Sequence, residues 1–242
     1  MEDNQKIYWE NAGREGYEKA MFVSASVGAH ANHRLWSECV ECADQMGISK
    51  DAKILELGCG DGTFAKQVLA PRYKSIDAYD NAIAAIERAK KSAATNLKFH
   101  CEDVTTLDLS KEGRWDAAFL VGILHHVKSA TPSVVARLSK VTPKVVVMEP
   151  NGNHPGRKAA EFLPSYRAAG EQSFRTNELR KIFEANGYEQ VFYRRFSIFP
   201  NVTPTWFYKL GLPFEPAIER SWLNRLCVNQ VFGFELKTPA AR

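Results

Sequence analysis

A glycine-rich turn is the segment of this sequence best suited to bind a ligand. A short apolar run, Ile54–Leu57, leads into Gly58, Gly60 and Gly62, and a helical pattern follows from Thr63. Glycine lets the backbone approach a ligand closely, and the unpaired N–H groups of a helix N-terminus can donate to polar or anionic ligand atoms. The segment therefore predicts the ligand-binding turn of a doubly wound α/β fold.

The glycine spacing and an acidic neighbour argue against a dinucleotide ligand. Dinucleotide-binding turns follow the pattern Gly-x-Gly-x-x-Gly, whereas Thr63 occupies the third position here. Glu56 lies two residues before the first glycine, and a carboxylate in that place would repel a pyrophosphate. The turn is better matched to a cationic ligand without phosphate.

Further acidic residues stand at the ends of later predicted strands. The strand predicted over residues 73–80 ends in Asp80, at about the spacing from Gly60 at which an acid reaches ribose hydroxyls in such folds. Asp77 competes for this role but lies inside the strand. Asp80 could also cap the helix predicted from Ile83. The next predicted strand, 97–101, is followed by Asp103.

Two more apolar runs complete a pattern of alternating strands and helices. Residues 115–121 and 144–148 predict the fourth and fifth strands, and residues 188–199 and 227–236 the last two. Short apolar runs that alternate with helical patterns are typical of a parallel sheet covered on both faces.

Residues Glu56–Gly62 resemble the first motif of class I S-adenosylmethionine-dependent methyltransferases, E/D-x-G-x-G-x-G, and the strand-end acids follow in the order found in that family. The resemblance covers residues 50–150. It implies that Asp80 binds the ribose of S-adenosylmethionine, Asp103 its adenine amino group and the Val104 N–H its adenine ring nitrogen. The full implied cofactor site is Tyr17, Glu56, Gly58, Cys59, Gly60, Gly62, Asp80, Asn81, Asp103, Val104 and Val121.

The resemblance also implies the fold class. We expect an α/β fold with a doubly wound, seven-stranded, mostly parallel sheet, an antiparallel last strand, an N-terminal helical lid and an insertion before the last strand. Residues 1–48 would form the helical cap, from two helices over 7–22 and 33–46, with Trp9 and Tyr17 as candidate lid residues. Residues 49–242 would form the methyltransferase domain.

The expected insertion, residues 200–225, is rich in prolines and aromatic residues. Hairpin loops usually have about 2 to 5 residues, so a segment of this length needs a reason. We consider a subunit interface in a homodimer, a cap over an apolar acceptor, and a membrane-surface contact, in that order.

Composition excludes several classes of function. The formal net charge is +4 and there is no lysine/arginine tract of the kind that binds nucleic acid. Basic residues are denser over 157–195, as a solvated helix face or as a site for an anionic acceptor. No apolar run predicts a transmembrane segment, and the polar N-terminus is no secretory signal, so we expect a cytoplasmic protein. The five cysteines suggest no disulfide framework, and Cys39 and Cys42 are expected to be ordinary helix residues.

His125 and His126 follow the fourth predicted strand and are the candidate catalytic residues. Histidine accepts protons near neutral pH, and some methyltransferases with similar motifs use a histidine at this position. The alternative is that one histidine packs under the loop and the other caps a helix. Glu149, Asn151 and His154 are second candidates for acceptor contacts, and no metal site is expected.

The predicted activity is transfer of a methyl group from S-adenosylmethionine to a small molecule, most simply to a hydroxyl. Two alternatives stay open. The chain could be a methyltransferase-like subunit that binds the cofactor without turnover, or, less in keeping with Glu56 and Thr63, a nucleotide-dependent oxidoreductase.

Overall fold

The computed structural model describes residues 8, 10, 11, 25–200 and 203–237. The predicted helix over 7–22, with Trp9 and Tyr17, therefore lies largely outside the described residues. The strands are β1 Lys53–Leu57, β2 Ser75–Asp80, β3 Leu97–Cys101, β4 Ala117–Val121, β5 Lys144–Pro150, β6 Tyr188–Phe196 and β7 Asn229–Leu236. The helices are α1 Ala25–Gln45, α2 Ile83–Lys90, α3 Thr131–Leu138, α4 Pro155–Ala160, α5 Pro164–Ala168, α6 Thr176–Ala185, α7 Thr205–Gly211 and α8 Glu215–Glu219, with a π-helical turn at Ala65–Leu69.

The seven strands form one sheet in the order β3-β2-β1-β4-β5-β7-β6. The first five strands of the chain are parallel, and β7 runs antiparallel to both of its neighbours. This arrangement confirms the predicted doubly wound sheet with an antiparallel last strand. The strand order reverses between β1 and β4, and such folds bind ligands at the carboxyl ends of the strands at this point.

The sheet is buried on both faces. On one face, Cys39 and Cys42 of α1, with Met46 directly after the helix, join the core beneath β5 and β7. On the other face, α3 and α6 contribute Val135 and Phe183 to a second cluster. Cys39 and Cys42 are fully buried free thiols, which confirms their prediction as ordinary helix residues.

Helix α1 begins earlier than the sequence suggested. The predicted start was His33, whereas the described residues are already helical from Ala25 onward, about two turns before it. Val27 explains the difference, because its side chain is buried against Phe199 and Tyr208, which follow β6. The predicted end is confirmed, since Gly47 follows the helix with φ +62°.

Two other local predictions were wrong. Thr176 is the residue type that the sequence favours as the N-cap of the helix that begins there, but Arg175 occupies the N-cap position of α6. The Thr176 hydroxyl instead donates to Gln230 Oε1 at 2.9 Å, a side chain of β7. The predicted sixth strand also ends early, at Phe196, because the chain turns through Ser197 with φ +57°.

The insertion between β6 and β7 is present and ordered into α7, α8 and two 3-10 turns, Leu212–Phe214 and Trp222–Leu226. None of the helices in the described part of the chain is long and apolar enough to cross a membrane.

Gly233 tests how closely α1 packs on the sheet. A Cβ atom at Gly233 would lie 2.6 Å from Met46 Sδ and 3.0 Å from Cys42 Sγ. We expect Gly233→Ala to lower the free energy of unfolding by about 1–3 kcal/mol, because overpacking a core is costly. Urea denaturation measures this, and equal stability of the variant and the wild type would contradict the packing.

Candidate cofactor and catalytic site

The glycine turn after β1 has the geometry that the sequence predicted. Gly58, Gly60 and Gly62 have φ values of +78°, +55° and +74°, a region that other residues rarely adopt. A Cβ at Gly58 would lie 2.6 Å from the Ile123 side chain, and one at Gly62 would collide with the Phe99 ring. The turn is therefore restricted to glycine by backbone conformation and by close neighbours.

Asp80 joins this turn to the end of β2. Its Oδ2 accepts a hydrogen bond from Gly60 N at 2.8 Å, and its Oδ1 accepts one from Ala82 N at 2.9 Å. Burial raises the pKa of Asp80. Each carboxylate oxygen keeps a second lone pair, so the side chain can bind ribose hydroxyls while it holds the turn.

Asp77, the competing candidate, lies away from the turn. Its Oδ2 accepts a hydrogen bond from Trp115 Nε1 at 2.8 Å and is 3.3 Å from Lys53 Nζ. These contacts place Asp77 in the sheet interior, so the geometry favours Asp80 for the ribose.

Glu56 is a buried carboxylate with an unsatisfied oxygen. The residue is 2% exposed, and within the described residues Oε2 has no hydrogen-bond partner. Burial, with smaller contributions from the carboxylates of Asp80 and Asp61, raises the pKa of Glu56 to about 8. A buried acceptor without a donor is costly, so this site fits a ligand that brings a donor or a positive charge.

The remaining residues of the implied cofactor site follow the turn along the same sheet edge. Asp103 Oδ1 accepts hydrogen bonds from Thr105 N and Thr105 Oγ1 at 2.8 and 2.7 Å. Val104 is buried, and its carbonyl accepts from Arg137 at 2.9 Å. The other members are Cys59, which is buried, and Asn81 and Val121, which are half-buried at the ends of β2 and β4. Tyr17 lies outside the described residues.

Glu149, at the end of β5, organises the loop that carries the two histidines. Its carboxylate accepts hydrogen bonds from Leu124 N at 2.7 Å and His125 N at 3.2 Å, and its Oε2 is 2.6 Å from His125 Nδ1. On the other side of the ring, His125 Nε2 is 3.4 Å from Glu171 Oε2. Burial acts to lower the pKa of His125, but the two carboxylates outweigh it and the pKa is raised.

His126 has the opposite electrostatic environment. Its Nδ1 is 3.1 Å from the Ala169 carbonyl oxygen, which can only accept, so Nδ1 carries the proton and Nε2 is an acceptor. Burial, with a smaller contribution from the nearby His125 ring at 3.9 Å, holds the pKa of His126 well below its ordinary value. The contacts of the pair therefore favour a charge on His125 and disfavour one on His126.

Sequence reasoning did not find Glu171, and it placed Arg157 only in the basic stretch 157–195. They lie in the helical segment after β5, where Arg157 pairs with Glu171 and stacks over the Tyr166 ring at 5.0 Å. No pattern in the sequence predicts a role for Glu171, because only the course of the folded chain through α4 and α5 brings it next to His125. His125, His126 and Glu171 bring one potential metal-ligand atom each within 4.8 Å of one another, but the Arg157 charge opposes a cation there. The expected absence of a metal stays a prediction.

Asn151 and His154, the second candidates, have structural contacts. Asn151 Nδ2 donates to the Cys227 carbonyl at 2.8 Å, and the residue is fully buried. His154 Nδ1 accepts from Arg157 N at 3.1 Å and caps α4. The basic residues after β4 and β5 are likewise engaged, since Lys128 and Lys158 pair with Glu178 and Glu161.

The described part of the N-terminal segment reaches this sheet edge. Glu10 Oε1 accepts a hydrogen bond from Ile83 N at 2.8 Å, in the first turn of α2. Burial raises the pKa of Tyr8, as do the neighbouring charge of Glu171 and the ring of Tyr166. Tyr8 thus lies near Glu171 of the histidine cluster, and Glu10 lies near the Asp80 turn.

Residues 54–144 match the model of a protein family described as a methyltransferase domain. Over this segment the chain is similar to methyltransferase domains. The match covers β1 to the start of β5, and the seven-stranded sheet described above is the Rossmann-like fold of S-adenosylmethionine-dependent methyltransferases. No curated protein matches the sequence.

Solved structures share the fold at low sequence identity. Magnesium protoporphyrin IX methyltransferase from Synechocystis PCC 6803, solved with bound S-adenosylmethionine, is 12% identical, with a TM-score of 0.62 over 98% of this chain and 99% of that one. DhpI, solved with S-adenosylhomocysteine, is 14% identical, with a TM-score of 0.63 over 98% and 97%. The [4+2]-cyclase SpnF is 15% identical, with a TM-score of 0.61 over 84% and 81%.

Glu56 predicts a pH-dependent stability difference. Its pKa is about 8 in the folded chain and 4.5 ordinarily, so ionisation above pH 4.5 costs the folded state more than the unfolded one. We expect Glu56→Gln and the wild type to have equal free energies of unfolding at pH 4. As the pH rises to 8, the variant should become more stable than the wild type. Above pH 8 the difference should stay constant, at up to about 5 kcal/mol. Urea denaturation across pH measures this. The exposed Glu87→Gln is the control, and a pH-independent difference would contradict the prediction.

Proposed function

We propose that this protein binds S-adenosylmethionine in the glycine turn and transfers its methyl group to a hydroxyl of a small-molecule acceptor. The observation that carries the proposal is the histidine pair with opposite pKa shifts, on a loop that touches the turn. Ile123 of that loop packs so closely on Gly58 that no side chain fits between them. Methyl donor and base would therefore meet at this edge of the sheet.

The turn fits S-adenosylmethionine. Glu56 has a free buried oxygen suited to the positive charge of the ligand, and Asp80 can accept from ribose hydroxyls. Bound S-adenosylmethionine would supply a methyl group already activated by its sulfonium. The structural neighbours solved with this cofactor or its product support the assignment.

His126 acts as the general base in this proposal. Because its Nδ1 donates to Ala169 and its pKa is low, Nε2 is unprotonated at neutral pH. It takes the hydroxyl proton as the acceptor oxygen gains the methyl group. Glu149 and His125 position the loop, since one carboxylate holds two backbone N–H groups and the His125 ring together. Two neighbouring imidazoles with pKa values shifted in opposite directions are the arrangement expected of an acid–base site.

Asp80→Asn tests the cofactor site. The variant keeps the size of the side chain but loses a charge-assisted acceptor for ribose, so we expect S-adenosylmethionine affinity to fall by about 1.5–3 kcal/mol. Isothermal calorimetry with S-adenosylmethionine, S-adenosylhomocysteine and NAD measures it. Asp77→Asn is the matched control, which should lower stability and leave affinity near the wild type. Tight NAD binding without S-adenosylmethionine binding would refute the assignment.

His126→Ala tests the base. A positioned base contributes about 10²–10⁴-fold, so kcat should fall by that range while cofactor affinity is kept. Because the pKa of His126 is lowered, the base stays neutral as the pH falls through 6.5, and wild-type kcat should decline only at lower pH. Labelled methyl transfer to a panel of hydroxylated metabolites identifies the acceptor and then gives these rates.

His125→Asn is the comparison variant. It should disturb the loop and lower stability, because Glu149 would lose its charged partner. A normal kcat in folded His126→Ala would remove the base from the mechanism. Cofactor binding without any methylated product across the panel would favour the non-catalytic subunit.

A further inference from the structure

The insertion between β6 and β7 lies at the same edge of the sheet as the candidate site. Phe196, the last residue of β6, pairs with Asn229, the first residue of β7, and Asn229 also pairs with Pro150 at the end of β5. The carboxyl end of β5 carries Glu149 and the histidine contacts. Residues 203–226, here called the aromatic insertion, therefore project from the edge at which the cofactor turn opens.

Both acidic residues of the aromatic insertion face inward. Glu215 is buried, and its Oε1 accepts a hydrogen bond from Ile198 N at 3.0 Å. Glu219 Oε1 accepts from Ser197 N at 2.8 Å, and its carboxylate pairs with Arg34 at 2.9 Å. These contacts attach the aromatic insertion to the domain. They also turn both of its negative side chains toward hydrogen-bond or ion-pair partners and away from the outer face.

The outer face is apolar and basic. Trp206 and Trp222 are 70% and 71% exposed. The other exposed apolar side chains of the aromatic insertion are Phe207, Leu210, Phe214 and Leu226. The three basic residues of the segment, Lys209, Arg220 and Arg225, are all exposed, and the Arg225 guanidinium lies 4.5 Å over the Trp222 ring. No negative side chain of residues 203–226 offsets these charges on the outside.

We propose that the aromatic insertion docks the site edge of the protein onto an anionic phospholipid surface. Tryptophan and other amphipathic aromatic rings favour the headgroup region of a bilayer. Lysine and arginine beside an apolar face add attraction to anionic lipids. An anionic phospholipid surface matches both the exposed apolar area and the positive charge of the aromatic insertion.

The two alternative occupants fit less well. In a two-fold dimer the same patch faces itself, which would bring Lys209, Arg220 and Arg225 of two copies together. A cap over the acceptor would bury Trp206 and Trp222 against the domain, whereas both are mostly exposed.

A second exposed apolar pair begins at the same edge. Phe162 and Leu163, between α4 and α5, are 72% and 51% exposed, and Arg167 lies 5.9 Å from the Phe162 ring. Within the described residues, the other strongly exposed large apolar side chains outside these two segments are Ile83 and Val191. Both segments therefore place apolar and basic groups on the elements that follow β5 and β6.

Vesicle co-sedimentation of the full chain, without cofactor or acceptor, tests the docking apart from the proposed function. We expect binding to phosphatidylcholine vesicles that contain phosphatidylglycerol, and much weaker binding to pure phosphatidylcholine. The double variant Trp206→Ser/Trp222→Ser should lower the partition coefficient about tenfold or more. The triple variant Lys209→Gln/Arg220→Gln/Arg225→Gln should also lower it at least tenfold, at about fivefold per charge, and reduce its salt dependence.

Matched controls lie away from the aromatic insertion. Val191→Ser removes an exposed apolar side chain from the middle of β6. Arg114→Gln/Lys140→Gln removes exposed charge near the opposite sheet edge. Both should bind like the wild type, and circular dichroism should show all variants folded. Absence of binding to anionic vesicles, or equal binding of the tryptophan variant and the wild type, would overturn the proposal. So would a dimer in sedimentation velocity that Trp206→Ser dissociates without any lipid binding.

Discussion

The hydrogen bonds between the glycine turn and the end of β2 are the constraint on which the site depends. Gly58 N and Cys59 N both donate to the Tyr79 carbonyl, at 2.8 and 3.1 Å, and Gly60 N donates to Asp80. These bonds fold the chain sharply back after β1, so that backbone rather than side chains lines the opening. The left-handed glycines make this turn possible, and Ile123 approaches Gly58 closely because no Cβ lies between them.

The second organising interaction is the Glu149 carboxylate. A single buried side chain satisfies two backbone N–H groups and the His125 ring, so the loop after β4 cannot shift without leaving a buried charge unpaired. Burial, with a smaller contribution from His125, disfavours a charge on His126. The pKa values of two adjacent residues of the same type are thus shifted in opposite directions by burial and by their neighbours.

The site also holds interactions that cost stability in the ligand-free protein. Glu56 is buried without a donor for Oε2, and Asp80 lies close enough to raise its pKa. An apolar or amide side chain at position 56 would destabilise the folded protein less. Such local conflict is expected at functional sites, and a cationic ligand would relieve it.

Local sequence patterns determined the order of strands and helices along the chain and the glycine turn, because these depend on periodicity and on residues adjacent in the chain. β3 and the end of β2 at Asp80 were predicted to the residue. Only the tertiary structure decided the extension of α1 before His33, the contacts of Thr176 and the environments of the two histidines. The physical reason is distance along the chain: Val27 meets Tyr208, Thr176 meets Gln230, and His125 lies between Glu149 and Glu171, all contacts that exist only once the sheet has formed.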